Sequence, residues 1–274
     1  MAITAADVMK LRKATGAGMM DCKNALNEAN GDFDRAVEII RERGKLVASK
    51  RSDRESNEGV VLAKVSEDKK FGAIVVLNCE TDFVAKNEGF IQLTTKFLDA
   101  AINNRAADLD ALKAIVIDGR PIGDQVVEQI GIIGEKLDLS FYGKVEAASV
   151  VSYIHPGNKL ATVVGFSKEA DATVGKDVAM QVAAMSPVAV NEAEVPQSIV
   201  EKELEIAREK FRMEGKPEAM LDKIAQGALQ KFFKDSTLLN QAFVKDGKIT
   251  VKEYLKSADK DLTVTAFVRY GLGE

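Results

Sequence analysis

Few residues in this chain are of types that carry chemistry, and their spacing rules out most of what those types could do. There is one histidine, in His155-Pro156-Gly157-Asn158, and there are two cysteines, Cys22 and Cys79. A nucleophile needs a base beside it and a third group to orient that base. Pairing Cys79 with His155 leaves no third member in view, and the Pro-Gly-Asn run reads as a hairpin turn. One histidine and two scattered cysteines make neither a transition-metal site nor a disulfide framework, which fits a reducing, cytoplasmic setting. No Gly-x-x-x-x-Gly-Lys-Ser/Thr loop occurs, and no Gly-x-Gly-x-x-Gly follows a strand. The expectation is a protein without cofactor or bound metal, and not an enzyme.

Two stretches remain, and both suit contact better than catalysis. The first is Leu11-Arg12-x-x-Thr15-Gly16-Ala17-Gly18-Met19-Met20-Asp21-Cys22-Lys23-Asn24-Ala25-Leu26. Met19 and Met20 follow a Gly-Ala-Gly turn and cannot both face a small helical core. At least one belongs on the surface, where methionine makes an adaptable docking patch; partial burial of both is the plainer alternative. The second stretch is Leu77-Asn78-Cys79-Glu80-Thr81-Asp82-Phe83-Val84-Ala85-Lys86-Asn87. A phenylalanine just beyond a strand is more often a core plug than a contact residue. Here three polar residues precede it, so Phe83 can instead be presented. Asp82 either offers negative charge to a partner or caps the helix that follows.

The elements that must position these stretches are read from periodicity. Residues 1–44 predict three short helices. The first opens at a Thr4–Asp7 capping box and carries Val8 and Leu11; Cys22 and Leu26 mark the second. Asp32 caps a third with Phe33, Val37 and Ile40 inward, until Gly44 ends it. Residues 45–57 read as a polar linker; its basic stretch, Lys45 to Arg54, is diluted by Asp53 and Glu55. The period then changes from 3.6 to 2. Gly59–Val65 and Phe71–Asn78 form a hairpin, and a helix follows from about Glu88 to Ile102. The same order returns as strands 147–154 and 160–166 and a helix over 175–184. This implies a duplicated core, with a first subdomain at 58–140 and a second beginning at 141–190.

Val200, Leu204, Ala207 and Phe211 are spaced 4, 3, 4, the seam of a coiled coil. Leu221, Ile224, Ala228, Leu229 and Phe232 supply the returning face. Residues 191–234 therefore predict an antiparallel helical arm, and 235–274 a return segment whose last strand, 263–270, rejoins the second sheet. The fold class is α+β. At 274 residues, with 46% hydrophobic and 29% charged residues and a net charge of −4, the chain suits a soluble globular protein without a nucleic-acid footprint. No stretch reaches the ~18–20 apolar residues of a membrane span.

The two contact stretches closely resemble the signature motifs of bacterial-type translation elongation factor Ts, and the resemblance extends over the whole chain. It implies a UBA-like N-terminal module, and as partner the GTPase elongation factor Tu in its GDP state. From that partner GDP is ejected so that GTP can enter. Thr81, Asp82, Phe83 and Val84 match the segment that displaces magnesium from the GTPase, with the phenylalanine wedged between two of its helices. Arg12, Met19 and Met20 match the surface that grips another helix. The resemblance admits a homodimer within a 2:2 complex. Some members carry a histidine on the helix after the second hairpin; residues 177–184 contain none, which leaves that helix's contribution open. The competing expectation is a UBA-like adaptor whose N-terminal helices bind a protein surface unaided.

Overall fold

Thr4 opens the first helix as a capping box: its hydroxyl accepts the Asp7 N–H at 3.2 Å, and the Asp7 carboxylate accepts the Thr4 N–H at 2.9 Å. The computed structural model describes residues 3–274; Met1 and Ala2, which begin the expected helical module, lie outside the described residues. The helices α1 (Ala5–Thr15), α2 (Met19–Glu28) and α3 (Phe33–Lys50) enclose a small core of Leu11, Cys22, Leu26, Ala36 and Ile39. Gly16 ends α1 with φ 76°, a left-handed conformation that glycine adopts without a Cβ penalty. Asp32 caps α3, accepting the Arg35 N–H at 2.9 Å.

After α3 come β1 (Glu58–Val65), β2 (Phe71–Cys79), α4 (Asp82–Ala85), α5 (Glu88–Asn104) and α6 (Leu109–Ala114). A short ribbon of β3 (Val116–Ile117) and β4 (Arg120–Pro121) leads into α7 (Ile122–Ile133), and β5 (Asp138–Glu146) completes a sheet of order β1-β2-β5. Every residue of β2 is buried, as its unbroken apolar run requires. The chain divides into two compact units. The first comprises Met1–Leu62, Val75–Gly143 and Gly271–Glu274; the second comprises Ala63–Ile74 and Lys144–Tyr270.

The stop expected at Gly44 is overturned, because α3 continues for six more residues to Lys50. Gly44 is buried where α3 packs on α7, and a methyl group on Gly131 of α7 would overlap the Gly44 backbone. A helix-interior glycine costs about 1 kcal/mol in propensity. The close approach of the two helix backbones makes glycine necessary at Gly131, whereas a methyl group on Gly44 would meet Glu128 at an ordinary 3.6 Å. Helix α7 runs to Ile133, and β5 begins at Asp138.

In the second unit, β6 (Ser149–Ile154) and β7 (Leu160–Phe166) pair antiparallel from Ser149↔Phe166 to Ile154↔Ala161. The expected turn joins them, with Gly157 at φ 93° and Asn158 at φ 55°. Then follow α8 (Ala172–Met185), a 3-10 turn at Glu192–Glu194, α9 (Gln197–Met213), α10 (Glu218–Ser236), a ribbon of β8 (Ala242–Phe243) and β9 (Asp246–Thr250), α11 (Val251–Ala258) and β10 (Val264–Gly271). The C-terminal strand rejoins the sheet as expected, in the order β10-β7-β6. Its core holds Val164, Phe166, Val178, Val182, Leu238 and Leu255.

The helices α9 and α10 pack on each other, and Arg208–Asp222 and Arg212–Glu218, both at 2.7 Å, link them. On the inward face of α10 Leu221 and Leu229 stand as expected, and the other positions are corrected. Leu221, Ala225, Leu229 and Phe233 are buried at every fourth residue, while Ile224, Ala228 and Phe232 are only half-buried. No helix among the described residues is long and apolar enough to cross a membrane.

Candidate partner-binding site

Phe83 stands on a short helix whose start is fixed by side-chain capping. Thr81 is the N-cap of α4, its hydroxyl accepting the Val84 N–H at 3.4 Å, so the capping role open to Asp82 falls to its neighbour. Asp82 instead pairs with Lys86 one turn on, Nζ to Oδ2 at 2.6 Å. Phe83 is 82% exposed, which overturns the core-plug reading of its position. The hydrogen bonds of the preceding residues explain why it projects. The Cys79 thiol donates to the Thr81 carbonyl at 3.1 Å. The Glu135 carboxylate accepts the Thr81 hydroxyl at 2.7 Å, the Thr81 N–H at 3.0 Å and the Glu80 N–H at 3.1 Å. The polar residues are consumed in building a base, and the aromatic ring is left outside it.

Glu80 points the other way, accepting the Lys136 N–H at 2.6 Å, Arg51 at 2.7 Å and Arg54 at 3.0 Å. Desolvation pushes its carboxyl upward, but the Lys136 amide and the two guanidiniums outweigh that and hold its pKa down at about 2. Burial, with Glu135 and Glu58 adding to it, pushes the Cys79 thiol up to about 12. Cys79 is thus a neutral structural thiol, without the thiolate a nucleophile requires. The sequence-stated partner for it, His155, is exposed and has the Tyr153 hydroxyl at 2.9 Å from its Nδ1.

Met19 and Met20 lie in the first turn of α2, 41% and 65% exposed, so Met20 is the more open of the two while Met19 is more than half covered. Arg12 is exposed on the last turn of α1. The two contact stretches, separated by 50 residues in sequence, both contribute to the lining of one groove of about 620 Å³. Gly16, at the turn before the methionines, lines it together with Phe83, Val84, Phe90, Leu93 and Ile132. Glu80, Glu135, Arg51 and Arg54 were not singled out from the sequence as site residues. Nothing local marks them, since Glu135 lies 54 residues beyond the Thr81 it holds.

Among the described residues, no group of three or more His, Cys, Asp or Glu is placed to hold a metal ion. An exposed aromatic on a braced base beside an apolar groove, with two exposed methionines on α2, defines a docking protein, one that works by binding another macromolecule. Over residues 80–274 the chain matches the family described as Elongation factor TS. It is 54% identical to Elongation factor Ts of Porphyromonas gingivalis, with 99% of each chain covered. It is 53% identical to that of Christiangramia forsetii and 50% to that of Flavobacterium psychrophilum, again over 99% of each chain. The chain belongs to the elongation factor Ts family. Its role is guanine-nucleotide exchange on elongation factor Tu during translation elongation.

Proposed function

We propose that the chain engages elongation factor Tu in its GDP-bound state through Thr81, Asp82, Phe83 and Val84 and through Arg12, Met19 and Met20, dislodges the GTPase's Mg²⁺, and so releases GDP without consuming GTP. The observation that carries this is Phe83, 82% exposed on a helix whose base is held by Glu135 and Thr81. An apolar ring kept in water by a fixed base is stabilised when a partner covers it.

GDP is held in such GTPases by a phosphate loop and by Mg²⁺ bridging oxygen ligands, an arrangement that is largely electrostatic. A protein removes that nucleotide only by binding the empty GTPase better than the loaded one, and the coupling is reciprocal. Burying one phenylalanine contributes at most about 3 kcal/mol, roughly a hundredfold. Phe83 is therefore the tip of a wider clamp, and the exposed methionines with the shared groove supply further differential contact. Asp82 can turn from Lys86 toward the magnesium shell, since an exposed ion pair of this kind contributes little to stability.

The finer architecture belongs to the same reading: a UBA-like module over 1–44, a duplicated core, a coiled-coil arm formed by α9 and α10, cytoplasmic action, and a 2:2 assembly with the GTPase. The adaptor alternative needs a free-standing helical module, and the backbone contact between Gly44 and Gly131 counts against one. Stopped-flow release of a fluorescent GDP analogue tests the proposal. Phe83→Ala is expected to slow release far more than it weakens binding; an unchanged rate removes the wedge.

A further inference from the structure

The base of the Phe83 tip is built by two carboxylates, each accepting backbone N–H groups from the segment that carries the other. Glu135 accepts the N–H groups of Glu80 and Thr81 and the Thr81 hydroxyl, and Glu80 in return accepts the N–H of Lys136. A third strand of chain joins them. Glu80 takes Arg51 and Arg54, and Lys136 Nζ donates to the carbonyls of Ser52 and Arg54, both at 2.8 Å. Residues 51–54 directly follow α3, which packs on α1 and α2, the helices that carry Arg12, Met19 and Met20. Both carboxylates are mostly withdrawn from solvent and are occupied by the protein's own amides and guanidiniums, which suits holding rather than docking.

We propose that Glu80 and Glu135 are positioning residues for nucleotide exchange, a reciprocal brace that presents Phe83 to the GTPase already ordered and ties it to the end of α3. The proposal rests on the exchange reading above and adds to it residues that act through Phe83. A wedge does work on its partner only if its own base does not yield; a loose base spends binding free energy on ordering itself. Charge-assisted hydrogen bonds are the strong kind, and three converge here on one carboxylate, two from backbone amides and one from the Thr81 hydroxyl.

The test is a double-mutant cycle on the full chain, read as the maximal rate of fluorescent-GDP release from elongation factor Tu. Glu135→Ala is expected to slow release about tenfold, the rate equivalent of one charge-assisted hydrogen bond. In the Phe83→Ala background the same change is expected to cost less than about twofold, because the residue it positions is gone. Equal slowing in both backgrounds means a general structural role and overturns the proposal. Glu135→Gln keeps an acceptor oxygen and should recover most of the rate; a glutamine variant as slow as alanine also overturns it. Should Glu135→Ala fail to fold, Glu80→Gln carries the same cycle, since it weakens the hold on Arg51 and Arg54 and leaves the Glu135 bonds in place. If Phe83→Ala alone leaves release unchanged, the exchange reading itself has failed, a result distinct from an additive cycle.

Discussion

After β2 the chain enters α4 from a base tied by Glu80 and Glu135, and Phe83 stands out from it. After β7 the chain also leaves a hairpin for a helix, but Ser167 exchanges hydrogen bonds with Thr263, and Lys168 pairs with Asp259 at 2.6 Å. The first loop uses its polar residues to anchor a projecting aromatic. The second uses them to fasten the sheet to the segment before β10, and its residues 167–171 include no large apolar side chain. The order of elements is thus shared, while the work done at the equivalent point is not. What separates them is what those hydrogen bonds hold: the base of a projecting ring in the first loop, and the segment leading into β10 in the second.

The largest expected effect sets the two loops against each other directly. Phe83→Ala should slow GDP release by up to about a hundredfold, the ceiling set by burying one such ring. Lys168→Ala, at an exposed ion pair, should leave release within about twofold. Comparable slowing by both would break the comparison. Next in size is a pair of glycines. Gly131→Ala drives a methyl into the Gly44 backbone, which cannot turn aside, and should destabilise the first unit by about 1–3 kcal/mol in urea unfolding. Gly175→Ala in α8 meets instead the Val151 side chain, at 2.7 Å from the added carbon, and should cost less because a valine can adjust. Gly44→Ala would meet Glu128 backbone atoms at an ordinary 3.6 Å. It should be neutral or slightly stabilising, since alanine is favoured over glycine in helices by about 1 kcal/mol.

Smaller still, Met20→Ala should weaken GTPase binding by about tenfold or less, in keeping with partial burial of one methionine, measured by titration calorimetry. The least effect is one of pH. The Glu80 carboxyl, ordinarily near 4.5, is held at about 2, so its contribution to stability is fully present above 4.5 and is lost as pH falls toward 2. Protection of the Lys136 amide against hydrogen exchange should decline across that window, and Glu80→Gln should flatten the decline. Asp259 in the second loop is also held below its usual value, by Lys168 first, but it is solvent-exposed, and its neutralisation should leave the sheet's protection nearly unchanged.

Much of the fold was legible because its signals are local. The capping box at Thr4, the left-handed Gly16, the hairpin turn at Gly157–Asn158 and the period change at β1 each depend on neighbours within a few residues. The errors have one physical character. Gly44 carries the local signature of a helix stop, yet a facing glycine 87 positions later (131 − 44 = 87) makes it a packing site. Phe233 is the more deeply buried of two adjacent phenylalanines in the arm, because full burial there follows every fourth residue from Leu221, while Phe232 packs half-buried against the same core. For Phe83 the local statistics favoured burial, and the family resemblance pointed outward.

By itself the sequence determined the α+β class, the helical and hairpin segments, the family, and the identity of the two contact stretches. Local hydrogen bonding and burial periodicity are written in adjacent residues, and long motifs carry lineage. Only the tertiary structure decided that those stretches share a groove, that α3 runs past Gly44 to meet α7, and that Glu135 holds the base on which Phe83 stands. Those outcomes need chain segments to return to one another over tens of residues, and a carboxylate's partner at that range is fixed by where the backbone comes back.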